Sequence, residues 1–147
     1  FNGDAMKIII DADACPVVDI TVNIAKARGL KCIIVCDNTH TIERDGATTI
    51  VVDKGADSAD CHIANITEKG DVVVTQDYGL AALVLGKGGK ALNQNGLIYT
   101  ESNIDNLLFT RFVGKKERMA GNRTKGPKKR THQNDIDFLK SLLLCIG

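Results

Sequence analysis

The chain predicts an α/β fold, a single-domain three-layer sandwich with a mainly parallel sheet, on three observations. Apolar, β-branched runs alternate with helix-length stretches whose apolar residues recur every three or four positions, as in βαβ units. The runs at Ile8 to Ile10, Cys32 to Cys36 and Val72 to Val74 show no polar alternation, the mark of strands covered on both faces. Aspartates recur where the strands should end. At 147 residues and 44% hydrophobic, the chain is long enough for one domain with a real core and short for two.

The elements follow in order. Phe1 to Ala5, ahead of Met6, look like a remnant of cloning, so the domain is read as 6–147. After the strand at Ile8 to Ile10, the stripe Val17, Ile20, Ile24 and Ala27, flanked by Val18 and Val22, predicts a helix ended by Gly29. Lys31 to Cys36 reads as a second strand and Thr48 to Val52 as a third, with the polar turn Asp37 to Asp45 between them. A helix through Ile63, Ile66 and Lys69, closed by Gly70, leads to a strand at Asp71 to Thr75. Gly79 to Leu85 is a short apolar helix, followed by weaker strands around Lys90 to Leu92 and Leu97 to Tyr99. Thr100 is placed to cap a helix with the stripe Ile104, Leu107, Leu108 and Phe112. Thr131 is placed to cap a last helix that turns Ile136, Leu139 and Leu143 to the core.

In a parallel sheet all the strands end on one side, and ligands bind at that rim. Asp11 and Asp13 end the first strand, Asp53 ends the third and leads to Asp57 and Asp60, and Asp77 ends the fourth. Capping is the plain alternative: Asp13 could cap the helix that begins near Pro16, and Asp53 or Asp57 the next one. Capping leaves Asp11 unexplained. Neighbouring carboxylates repel, and a hard cation such as Mg²⁺ or Mn²⁺ is the usual remedy. The chemistry natural to such a site is metal-assisted displacement at phosphorus.

The net charge of +1 conceals an asymmetry. Segment 111–130 carries nine basic residues and one acid, a net +8, which leaves ten basic and seventeen acidic residues, a net −7, in the remainder. An acidic body with a basic arm points to a cation in one place and a polyanion, such as nucleic acid, in another. No apolar run reaches membrane-spanning length and no signal peptide is visible, which predicts a cytoplasmic protein that does not enter membranes. The five cysteines are odd in number and contain no C-x-x-C pair, so free thiols are expected. Cys32 and Cys36 read as core, and Cys15 and Cys61 lie beside the acids. A zinc site from Cys15, Cys61, His62 and His40 lacks any ligand spacing.

Three stretches, D-A-D-A-C-P at Asp11 to Pro16, D-V-V-V-T-Q-D-Y-G-L-A at Asp71 to Ala81 and R-T-K-G-P-K at Arg123 to Lys128, resemble the YaiI/YqxD family of bacterial proteins. That family in turn resembles PIN-domain and NYN-type ribonucleases. The resemblance implies a PIN-like fold and places metal-binding acids at Asp11 and Asp77. It matches the helix acid best to Asp60, while the K-G-A-D stretch favours Asp57 on the NYN pattern. PIN nucleases commonly carry glutamate on that helix, where this chain has the shorter aspartates.

Together these readings predict a Mg²⁺- or Mn²⁺-dependent nuclease, acting on RNA before DNA. Asp11, Asp60 and Asp77 would hold metal, with Asp13 and Asp57 as outer or second-metal ligands, and Asp11, Asp13, Asp60 and Asp77 would form the catalytic set. Gln76 and Cys15 would support it, and Arg118, Arg123, Lys125, Lys128 and Lys129 would hold the nucleic-acid backbone. Two rivals remain. One is a phosphatase of the HAD type, with Asp11 as nucleophile, Asp13 as general acid and Lys54 or Lys87 balancing charge. The other is a nucleic-acid-binding protein without catalysis. Oligomeric state is not legible.

Overall fold

The structure is a computed structural model that describes residues 6–13, 15–53, 58–109 and 129–147. The expectations for Phe1 to Ala5, Lys54, Asp57, Phe112, Arg118, Arg123, Lys125 and Lys128 therefore lie outside the described residues.

The strands are β1 (Lys7–Asp11), β2 (Lys31–Asp37), β3 (Thr48–Val52), β4 (Val72–Val74), β5 (Lys90–Leu92) and β6 (Ile98–Tyr99). The helices are α1 (Val18–Arg28), α2 (Ser58–Ile66), α3 (Tyr78–Gly86), α4 (helical over 101–109) and α5 (His132–Ile146). All six strands join one sheet in the order β3-β2-β1-β4-β5-β6, parallel except for β6 against β5. The α/β, mainly parallel architecture expected from the alternation is the one that forms.

Two cores sandwich the sheet, which explains the unbroken apolar strands. Ile8 and Ile10 of β1 join Ile34, Val72, Val74 and Leu92 in a core closed by α1 and α5. Ile9, between them, points the other way and joins Ile33, Val35, Val73 and Ala91 beneath α2, α3 and α4. Successive side chains of a strand alternate between faces, so both faces demand apolar residues when both are covered. The edge strand β3 is less buried, and Val51 is exposed.

The topology reverses at β1. The chain steps outward from β1 through β2 to β3, with α1 on one face, then crosses to β4 and steps the other way to β5, with α3 on the opposite face. Right-handed crossovers require this change of face when the direction of stepping changes. The gap between the carboxyl ends of β1 and β4 is thus the switch point of the sheet, where open α/β folds leave a crevice.

Two helices are rotated from the faces expected. In α1 the buried side chains are the flanking Val18 and Val22 with Thr21 and Ala25, while Ile20 and Ile24 are partly buried against the same core and Ala27 is exposed. Thr21 can be buried because its hydroxyl donates to the Val17 carbonyl at 2.8 Å, which removes the cost of an unpaired polar group. In α5 the core face is Phe138, Leu142 and Cys145, with Ile136, Leu139 and Leu143 only partly buried. The run of leucines at 142–144 supports either stripe, and the larger Phe138 decides between them. Helix α2 is shorter than expected, ending at Ile66, and a turn follows to Gly70 at φ +89°. Thr131 caps α5 as expected, in a reciprocal box with Asn134.

Candidate functional site

Asp11 ends β1 and stands at the switch point. Beyond β4, Thr75 is buried, and its hydroxyl donates to Asp11 Oδ2 at 2.8 Å while accepting from the Asp77 backbone N–H at 3.0 Å. One hydroxyl thereby ties the end of β1 to the turn after β4. Thr75 is itself fixed: its N–H donates to the Leu92 carbonyl at 3.0 Å, and its carbonyl accepts from the buried Tyr99 hydroxyl at 3.1 Å. Asp77 is the N-cap of α3 and accepts from the Leu80 N–H at 3.1 Å through Oδ1. The cap sets its rotamer, and the helix dipole favours its negative charge.

Asp11, Asp13, Gln76, Asp77 and Tyr78 line one recess at the rim. Asp77 also lines a second one, with Asp60 and Cys61 from α2 and with Gly79 and Leu83 from α3. The structure therefore brings Asp11, Asp13 and Asp77 together and sets Asp60 on the far flank of Asp77. Asp53 is exposed at the end of β3, two strand spacings or about 10 Å from β1, and is not part of the group. Burial pushes the Asp11 carboxyl above its ordinary range, the Thr75 bond opposes this, and the charges of Asp13 and Asp77 add to the rise.

The capping alternative for Asp13 does not hold. The residue before α1 is Val17, which makes no side-chain cap, and Asp13 is exposed. Its Oδ1 instead lies 3.4 Å from the Asp37 N–H, a long contact across to the end of β2. Asp37 is an addition that the sequence reading passed over as part of a turn. The available signal was its position directly after a buried strand, the same signal that singled out Asp11. Cys15 is half-buried nearby. Burial raises its thiol pKa, with the charges of Asp11 and Arg130 acting on it in opposite directions.

Arg130, at the end of the basic segment, is a clasp. Its guanidinium donates to Asp135 at 2.9 Å, to Asn95 Oδ1 at 2.9 Å and to the Gln94 carbonyl at 2.8 Å. It joins the start of α5 to the β5–β6 turn at the carboxyl rim. The end of the basic segment is therefore held on the side of the sheet where the carboxylates lie. Lys129 is exposed beside it.

Among the described residues, no three His, Cys, Asp or Glu side chains form a group arranged to hold a metal ion by themselves. The donor chemistry present still suits one class of ion. Mg²⁺ keeps several waters and is commonly held by one or two carboxylates together with substrate phosphates, which Asp11 and Asp77 match in kind and number. The zinc alternative finds no support: Cys15 and His40 line a recess on one side of Asp13, whereas Cys61 lies on the flank beyond Asp77. Lys87 is also excluded as a charge-balancing group at the rim. It is the C-cap of α3, at the opposite end of that helix from Asp77, and its ammonium donates to the Ala64 carbonyl.

Fold and site together define the class: an open, mainly parallel α/β protein with paired carboxylates at the carboxyl-end switch point. The chain belongs to the bacterial family described as "Uncharacterized BCR, YaiI/YqxD family", whose sequence profile matches residues 9–147. It is 55% identical over 136 residues to the UPF0178 protein of Exiguobacterium sibiricum, covering 92% of this chain and 93% of that protein. It is 52% identical over 141 residues to the UPF0178 protein of Ruminiclostridium cellulolyticum, covering 96% and 92%. Among solved structures it is similar to a mutant of Rae1 (YacP) from Bacillus subtilis, at a TM-score of 0.46 and 15% identity, covering 96% of this chain and 91% of that one.

Proposed function

We propose that the protein is a divalent-metal-dependent nuclease, with RNA as its polymer, acting at the Asp11–Asp77 rim. The observation that carries this reading is the Thr75 hydroxyl, which holds Asp11 and the Asp77 backbone together at the switch point. Thr75 thereby holds the Asp11 carboxylate against the turn that carries Asp77, and negative charges held close in this way are what a bound cation would offset. The PIN-like resemblance points to the same two residues.

In this reading Asp11 and Asp77 hold Mg²⁺ or Mn²⁺, with Asp13 and Asp60 on the two flanks and Asp57 as a further ligand. A divalent ion held there supplies Lewis-acid chemistry, acidifying water and offsetting phosphodiester charge. Gln76, exposed at the rim, orients water or substrate by its amide, and half-buried Cys15 lines the adjoining recess together with Asp13. Arg118, Arg123, Lys125, Lys128 and Lys129 grip the phosphate backbone without reading sequence. The five thiols are free, in keeping with a reducing, cytoplasmic setting. No helix among the described residues is long and apolar enough to cross a membrane.

The test is cleavage of labelled single-stranded and hairpin RNA with Mn²⁺, Mg²⁺ or EDTA, beside an Asp11→Asn/Asp77→Asn double variant purified identically. Metal-dependent products that vanish in the variant are the expected result. Equal RNA binding by both proteins with no cleavage by either would instead favour the binding-protein reading. Trapping a phosphoenzyme on Asp11 would favour the phosphatase.

A further inference from the structure

Across Asp13 from the carboxylates lies another recess, of about 620 Å³, walled by Asp13, Cys15, Pro16, Asp37, His40 and Ile42. Its volume falls within the range of about 300–1,000 Å³ usual for small-molecule sites. Asp13 lines both recesses, so a polymer with one phosphate at Asp11 and Asp77 brings its neighbouring group to this second one.

The chemistry of the walls selects what that group is. Ala12, Cys15, Pro16 and Ile42 present carbon and sulfur, while the imidazole of His40, the hydroxyl of Thr41 and the carboxylate of Asp37 supply polar edges. A phosphate would be repelled by Asp13 and Asp37, and a sugar would leave its hydroxyls against an apolar wall. A flat heterocycle meets both demands, because its faces stack on apolar surface and imidazole while its edges hydrogen-bond.

The wall formed by 37–42 is built before any ligand arrives. Asp37 Oδ1 accepts from the Thr39 N–H at 2.8 Å and from the Thr39 hydroxyl. The Thr49 hydroxyl donates to the Ile42 carbonyl at 2.7 Å, which ties the far end of the loop to β3. A preformed wall spares a ligand the cost of ordering it.

We propose that this recess binds an unstacked nucleobase of single-stranded RNA, next to the phosphodiester held at Asp11 and Asp77. The proposal rests on the nuclease reading for the identity of the polymer. It makes the protein selective for single strands, since a paired and stacked base cannot enter.

The experiment is a ¹H–¹⁵N NMR titration of the protein in EDTA with guanosine and uridine, which carry no phosphate charge, and separately with ribose. The amides of His40, Thr41 and Ile42 are expected to shift with the nucleosides and to stay still with ribose. In EDTA, His40→Ala, a change at an exposed side chain, should weaken binding of a single-stranded oligonucleotide by about 5- to 150-fold, the worth of one base stacked on an aromatic ring. The variant's own spectrum reports that it is folded. Unmoved amides, equal shifts with ribose, or unchanged affinity in His40→Ala would each overturn the proposal. RNA cleavage with unmoved amides would overturn the base site and leave the nuclease. Shifted amides without cleavage would support the base site and remove the nuclease.

Discussion

Asp11 illustrates a conflict between stability and function at a single residue. Its native carboxyl holds a proton more tightly than the ordinary value of 3.8, through burial first and then through Asp13 and Asp77. Between 3.8 and the raised native pKa the folded state binds more protons than the unfolded chain, so this group makes stability fall as pH rises through that window. Above the window the penalty is constant. Asp11→Asn removes it and keeps an oxygen for the Thr75 hydroxyl. Thermal unfolding in EDTA should therefore show the variant more stable than the wild type at pH 7, with the difference gone below pH 3.8. A variant that is less stable at pH 7 would show that Asp11 serves the fold rather than a ligand. Sequence position singled out Asp11 and Asp77, but their joint tether through Thr75 was not legible from it. A threonine at a strand end is equally good as plain β-structure, and its partner is 64 residues away.

At the scale of elements, the amino end of the sheet is pinned as firmly as the carboxyl end is left open. Lys7, at the start of β1, donates from Nζ to Asp71 at 2.5 Å and to Glu68 at 2.9 Å, and from its backbone N–H to Asp71 at 3.1 Å. Asp71 also accepts from the Glu68 N–H at 2.8 Å, closing the turn between α2 and β4. The Asp71 side chain is only 5% exposed and that of Lys7 14%, so the pair is largely shielded from water. Lys7→Met strands the buried carboxylate and should cost about 3 kcal/mol in urea unfolding. Burial lowers the Lys7 pKa, but its bonds to Asp71 and Glu68 outweigh this and raise it above 10.5. The contribution is thus fully present below pH 10.5 and lost as pH rises through the native value. The variant should lose its disadvantage in strongly alkaline solution. Helix positions were legible from periodicity, yet the faces of α1 and α5 were offset. Periodicity counts apolar residues alone, whereas burial also admits Thr21, whose hydroxyl is satisfied within its own helix.

For the whole molecule, the charge asymmetry predicts how RNA binding responds to salt. Each cation that neutralises a phosphate on a single strand adds about 0.7 to the slope of log affinity against log salt. Replacing Arg123, Lys125, Lys128 and Lys129 together by alanine should flatten that slope by about 3, measured by fluorescence anisotropy, and weaken all sequences alike. An unchanged slope would remove the basic segment from the interface. The Arg130 clasp should leave α5 in place in this variant, so the effect is one of charge.

By itself the sequence determined the α/β class, the boundaries of most elements and the aspartates that end strands, because these follow from local rules of burial and periodicity. Tertiary structure alone decided which aspartates meet. Strand order places β4 beside β1, so Asp77 joins Asp11, and it places β3 two strands away, so Asp53 does not. The same order sets Asp37 beside Asp13 and opens the recess between the segments that follow β1 and β2. The physical reason is that strand pairing is a long-range choice, settled by which faces the helices cover and by the hand of the crossovers, and no local pattern of residues records it.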